Sequence, residues 1–147
     1  MTRSSASSAG VNLQIWYKIA NNEPSNYTIT PDHSNRIGGS IIRINGHNLS
    51  SPFNINAVTA SNTGEASVPS VTTTVNNTLI LRIVTWDQAK TIVSIPSGHT
   101  ETYHVDVSNH DNWGGFKTQT TAGSTGVGQF DLSGSSPYVG FTVAVKP

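Results

Sequence analysis

The densest group of chemically capable side chains is the stretch HVDVSNHDNW, where His104, Asp106, His110 and Asp111 fall within eight positions. On an extended strand His104 and Asp106 share a face, and a following loop can bring His110 or Asp111 near them. Imidazole and carboxylate donors in that arrangement suit a borderline divalent cation such as zinc. The competing reading is a solvated strand end followed by a polar turn, and it needs no ligand. The sequence favours that second reading, so no metal and no cofactor are expected. A calcium loop requires several oxygen ligands at alternating positions around a glycine bend, and residues 32–35 (DHSN) supply too few.

Nucleophilic chemistry has as little support. The chain has no cysteine, which removes thiolate catalysis, thiolate metal sites and disulfides together. The Gly-x-Ser-x-Gly pattern that exposes a serine on a strained turn is absent. Glycoside hydrolysis needs two facing carboxylates, and most of the eight acidic residues stand in turn-like polar stretches. A structural or binding module is expected, not an enzyme.

The positive sign of ligand binding is aromatic, because sugar-binding surfaces lay flat rings against pyranose faces. Trp113, Trp86 and Tyr103 are the residues such a surface would use. Trp113 leads, standing in the polar, glycine-rich stretch 112–115 (NWGG) without apolar neighbours. The plainer alternative folds its indole over the end of the core. Trp16 alternates with a core face and is expected to point outward, toward another subunit.

The elements that must position these residues read as strands. In 147 residues the apolar fraction is 35% and the charged fraction 11%, with Ser, Thr, Asn and Gly making up the difference. That is enough chain for one core, built from turns and hydroxyl-rich strand faces. Val11, Leu13, Ile15, Tyr17 and Ile19 alternate with polar or outward residues, which gives a first strand. Further strands are expected at 27–30, 40–45, 53–60, 67–75, 78–86, 91–95, 101–107, 115–121, 126–132 and 138–145. Asn45-Gly46 reads as a hairpin turn. Residues 78–86 (TLILRIVTW) are apolar on both faces, as in a central strand, with Arg82 expected at a rim, its guanidinium in water. About ten short strands without helical periodicity imply an all-β antiparallel two-sheet sandwich, jelly-roll-like or immunoglobulin-like, over residues 11–147. Residues 1–10 (MTRSSASSAG) are too poor in apolar side chains to offset their ordering entropy and are expected as a flexible arm.

Eight basic and eight acidic residues cancel, so neither nucleic acid nor an anionic membrane is an expected partner. No stretch is apolar and long enough for a membrane-spanning helix, and the first residues lack the apolar core of a secretory signal.

The segments LQIWYKIANNEPSNYTI, PSVTTTVNNTLILRIV, IPSGHTETYH and YVGFTVAVKP resemble a β-sandwich family scattered through tailed-phage virion proteins and bacterial surface proteins. The resemblance covers nearly all of residues 11–147. It rests on strand and turn patterns, so it transfers no catalytic residue. It implies a virion or surface setting. Such domains have further strands before the segment matching LQIWYKIA, whereas here only the Ser/Ala arm precedes it, which leaves a sheet edge to be covered by a partner. The expected function is a non-enzymatic virion accessory protein, a capsid decoration (cement) protein assembled in the host cytoplasm. The expected partners are further copies of the chain and major capsid or tail proteins, contacted through Arg3, Val11, Leu13 and Trp16. The alternatives are a tail or appendage component, or a carbohydrate-binding adhesin module at a virion or cell surface.

Overall fold

A computed structural model describes residues 2–8, 10–30 and 37–147. Eleven strands and no helix form among them: β1 (Thr2–Ser8), β2 (Val11–Tyr17), β3 (Phe53–Ser61), β4 (Ser67–Val68), β5 (Thr78–Asp87), β6 (Ile92–Ser94), β7 (Thr100–Asp106), β8 (His110–Gln119), β9 (Gly128–Gln129), β10 (Asp131–Leu132) and β11 (Tyr138–Val145). Five of them make an antiparallel sheet in the order β3-β11-β5-β8-β7. The architecture is an all-β antiparallel sandwich.

The central strands are apolar on both sides, so the sheet must be covered twice. On the first face Val84 and Trp86 of β5, Trp113 of β8 and Tyr138 of β11 pack with Ala66, Val68, Phe130 and Leu132. These last four come from the small pairs β4–β9 and β6–β10 and the chain beside them. On the second face Leu81, Ile83, Val139, Phe141 and Val143 meet Val11 and Leu13 of the β1–β2 hairpin, with Ile42 and Ile44 alongside. Residues 78–86, read as a central strand, are third of five and almost wholly buried.

Several local expectations change. Thr2–Ser8, within the stretch read as an arm, runs antiparallel to β2 from Thr2↔Tyr17 to Ser8↔Val11. Residues 27–30 and 40–45 carry no ladder, and Gly46 turns at φ 76° without paired strands beside it. The long run 67–75 shrinks to β4 and one bridge, Thr72↔Ser124. Beyond β4 the Pro69 carbonyl accepts a hydrogen bond from the Thr142 hydroxyl instead of joining a ladder. Strand β8 starts at His110, five residues before the expected start, after a tight β7–β8 turn whose Ser108 and Asn109 have φ of 45° and 76°.

The early start of β8 explains its glycines. A Cβ on Gly114 would lie 2.2 Å from the Tyr103 ring, so Gly114 is a strand residue that admits an aromatic across the sheet. Gly140 of β11 does the same for backbone, since its Cβ would stand 2.1 Å from the Ser67 carbonyl oxygen. Gly140→Ala is therefore expected to lower unfolding free energy by about 1–3 kcal/mol in urea denaturation. Gly39→Ala, where a Cβ meets nothing within 4 Å, should be close to neutral.

Candidate functional site: an unpaired strap beside the hairpin

The structure keeps His104, Asp106 and Asp111 on one side of the sheet, with Asp106 and Asp111 directly opposite each other, and sets His110 apart. Strand alternation sends Asp111 and His110 to opposite faces. His110 Nε2 stands 3.2 Å from Asp87, while Asp111 lies opposite Trp86 and Asp106. His104 stacks at a tilt on Trp86, ring centroids 5.9 Å apart. Among the described residues no three His, Asp or Glu side chains converge where a metal could be held. The DHSN stretch lies outside the described residues.

Trp113 and Trp86 are corrections to the aromatic reading, because both indoles are fully buried. Trp113 donates from Nε1 to the Glu101 carboxylate at 2.8 Å and meets Phe130 edge-to-face at 4.9 Å. Trp86 donates to the Lys90 carbonyl at 3.1 Å. Neither offers a flat face to a sugar. Tyr103 lies across Gly114, and burial raises its phenol pKa well above the usual value. The glycine pair that made residues 112–115 look like a loop is there to fit these rings.

Arg82 is also corrected, from a rim position to an interior one with 1% of its surface exposed. Its guanidinium donates to the Thr125 and Gly126 carbonyls and to the Thr125 hydroxyl, and Lys117 donates to the same Thr125 carbonyl at 3.1 Å. The cation ties down the turn that covers it. Burial holds its pKa below the ordinary arginine value.

Of the hairpin residues expected to touch a partner, Val11 and Leu13 face the core, and Trp16 keeps 42% of its surface exposed. The Arg3 side chain lies outside the described set; its backbone pairs with Trp16. The connection from β2 to β3 has a different character. Its described residues form no helix or strand, and among them no backbone–backbone hydrogen bond ties 18–46 to any other part. Anchoring begins at Asn48, whose N–H donates to the Lys146 carbonyl at 3.1 Å.

This strap is apolar and only partly packed. Ile29 is 62% exposed, Ile41 72% and Leu49 74%, with Tyr27 and Ile37 about half exposed. Ile42 and Ile44 alternate with Ile41 and Arg43, inner pair on the core and outer pair in solvent. Residues 40–45 thus keep the period-2 face of a strand while lacking its neighbours. Near the foot of β2 the Glu23 carboxylate accepts from the Tyr27 hydroxyl, the Asn21 N–H and the Lys18 ammonium. Those bonds, the tyrosine's foremost, lower its pKa to about 2. Sequence reasoning found the β-pattern of 27–30 and 40–45 but had no signal that these segments stay unpaired within one chain.

Comparison with protein-family models, with curated proteins and with solved structures returned no match.

Asp111 generates a prediction about stability. One carboxylate oxygen is buried without a partner, and burial first, then the Asp106 charge, raises its pKa above the ordinary aspartate value. A raised folded-state pKa means that Asp111 favours the fold most at low pH and loses that contribution as pH rises through its range. Asp111→Asn is expected to be more stable than the parent at neutral pH. The gap should close below about pH 3, where both side chains are neutral, as urea midpoints across pH will show.

Proposed function

We propose that the protein is a non-enzymatic structural subunit of a virion, a capsid decoration protein that docks through the described parts of the strap, residues 18–30 and 37–49, and the outer side of the β1–β2 hairpin. The observation that carries this reading is the strap itself: a long connection with β-forming sequence, exposed isoleucines and no backbone pairing among its described residues up to Asn48. Long connections without structure of their own are uncommon in compact domains and concentrate function. Exposed apolar side chains in numbers mark association surfaces. A sandwich that rests on a lattice needs a rigid body and an adhesive side, and the five-stranded sheet and the exposed strap residues support those two roles. The virion setting comes from the likeness of its strand and turn patterns to phage virion sandwiches.

A carbohydrate-binding role has less support, since the indoles it would use are interior. Tail placement differs from capsid placement only in which lattice receives the strap.

Ile41→Asp and Leu49→Asp test the reading without disturbing the core, because both side chains already stand mostly in solvent. Each is expected to leave the thermal midpoint within a few degrees of the parent and to reduce co-sedimentation with assembled shells of the source virus at least about tenfold, about 1.4 kcal/mol. Parental binding by both variants, or no binding by the parent to either shells or tails, would defeat it.

A further inference from the structure

The two edges of the five-stranded sheet are unlike. At one edge β7 carries Glu101, His104 and Asp106, its register shifts between Glu101 and Tyr103, and Gly38 of the strap lies against Val105 and Val107. Charges, a bulge and a covering segment are the devices that keep an edge strand from pairing with another chain. At the other edge β3, Phe53–Ser61 (FNINAVTAS), has no charged residue, no proline and no glycine. Its Asn56, Val58 and Ala60 are exposed, Val58 to 48%.

The backbone groups that β3 presents follow from the register. The Asp87 N–H donates to the Pro137 carbonyl at 3.0 Å, beside the pair Trp86↔Tyr138. In an antiparallel ladder that bond marks Trp86↔Tyr138 as a non-hydrogen-bonded pair, so the Tyr138 backbone groups turn the other way, to Ser61. Alternation then aims the groups of Ser61, Thr59, Ala57 and Ile55 at β11 and those of Ala60, Val58 and Asn56 out from the edge. At the far end the Lys146 N–H meets the Pro52 carbonyl at 2.7 Å, in the same phase. Among the described residues no backbone–backbone hydrogen bond beyond the β11 ladder reaches Phe53–Ser61.

This open row is closed at both ends. The ladder is irregular between Ala144 and Val145, and there the Asn54 side chain accepts from the Thr74 N–H at 2.9 Å and donates to the Thr74 hydroxyl at 2.7 Å. At the other end the Ser61 carbonyl accepts from the Ser8 hydroxyl of β1. The outward groups left between are those of Asn56, Val58 and Ala60, a row symmetric about Val58. Such a row is a template for one more antiparallel strand.

We propose that this edge pairs with the same edge of a second copy of the chain, antiparallel about a two-fold axis at Val58, so that two five-stranded sheets become one continuous sheet. In that register Val58 stands opposite Val58 of the copy and Asn56 opposite Ala60 of the copy, each pair exchanging both backbone bonds. A strand without charge meets itself without repulsion, and the two half-exposed valines cover one another as a cross-strand β-branched pair. The closed ends favour a second copy as the occupant: an isologous contact needs a self-complementary patch, and a window centred on one residue is such a patch. Neither the strap nor the outer side of the β1–β2 hairpin takes part, so the dimer stands or falls apart from the docking role.

Val58 is half-exposed, so Val58→Lys leaves the core intact while setting two ammonium groups face to face. Sedimentation equilibrium is expected to show the parent as a dimer in the micromolar range. Val58→Lys should weaken dimerisation at least about tenfold with an unchanged circular dichroism spectrum, and Ile41→Asp should stay dimeric. The chain has no cysteine, so Val58→Cys places a single thiol at the axis. Hydrogen-bonded partners there stand about 5.5 Å apart at Cα, within the span that a disulfide bridges. It should oxidise to a covalent dimer far faster than Val93→Cys, which is more exposed but stands on β6.

A monomeric parent overturns the proposal, as does a dimer that Val58→Lys leaves intact, or cross-linking of Val58→Cys no faster than that of Val93→Cys. A dimer lost in Ile41→Asp and kept in Val58→Lys would move the contact to the strap and overturn it too. A monomeric parent whose binding to shells is lost in Val58→Lys would give the edge to a strand of the capsid or tail, against the proposal. A dimer that binds neither shells nor tails keeps the proposal and removes the docking role.

Discussion

A β-strand that is apolar on both faces cannot stand at a surface, and β5 and β11 are such strands. Ile80, Val84 and Trp86 project to one side, Leu81 and Ile83 to the other, and all eight residues of β11 are buried. Burying that much apolar side chain is the main favourable term in the fold. It also demands a cover on each face. The remaining architecture is two different answers to that demand, made from a chain with few apolar residues left for other uses.

On the first face the answer is many short pieces. Strands β4, β6, β9 and β10 are two or three residues long, so their own ladders contribute little. Side-chain-to-backbone bonds make up the difference: Thr142 to Pro69, Arg82 and Lys117 to Thr125, Trp86 to Lys90. A buried guanidinium whose terminal nitrogen donates to carbonyls offsets part of its burial cost, though its Nε stays without a partner, and it fixes a turn that no ladder fixes. Asn76 works alike, its side-chain oxygen accepting from the Ala122 N–H at 2.8 Å. The polar composition is thus structural here: hydroxyls and amides hold the cover where strands are too short to do it.

How legible this was depended on whether a residue's environment is set locally. The central strand and β11 could be read because their alternation and density of Val, Ile and Leu have one good solution. Trp113 could not, because Asn112, Gly114 and Gly115 look like turn chemistry. What makes them strand residues is the ring of Tyr103 from the neighbouring strand and that of Trp113 itself, and sequence gives no hint of those rings' positions. Arg82 was misplaced for the same reason, since nothing adjacent in sequence announces the 125–126 carbonyls. The β-character of 27–30 and 40–45 was legible, but pairing needs a partner edge, and the partner is not encoded in either segment.

That last failure differs in kind from the others. Trp113 and Arg82 are explained once their tertiary neighbours are known, whereas the strap remains unexplained with every described neighbour in place. Its alternation is strand-like, its inner residues Ile42 and Ile44 already touch the core, and up to Asn48 its backbone groups have no backbone partners among the described residues. Local preference and global structure usually agree, and a disagreement confined to one segment marks a place where function or association has been selected over the economy of a single chain. An apolar, β-prone segment left at an edge is an aggregation hazard unless a particular partner occupies it. The first face is closed by the chain's own short strands and turns; the second is covered by one hairpin and by a strap whose described backbone finds no backbone partner before Asn48.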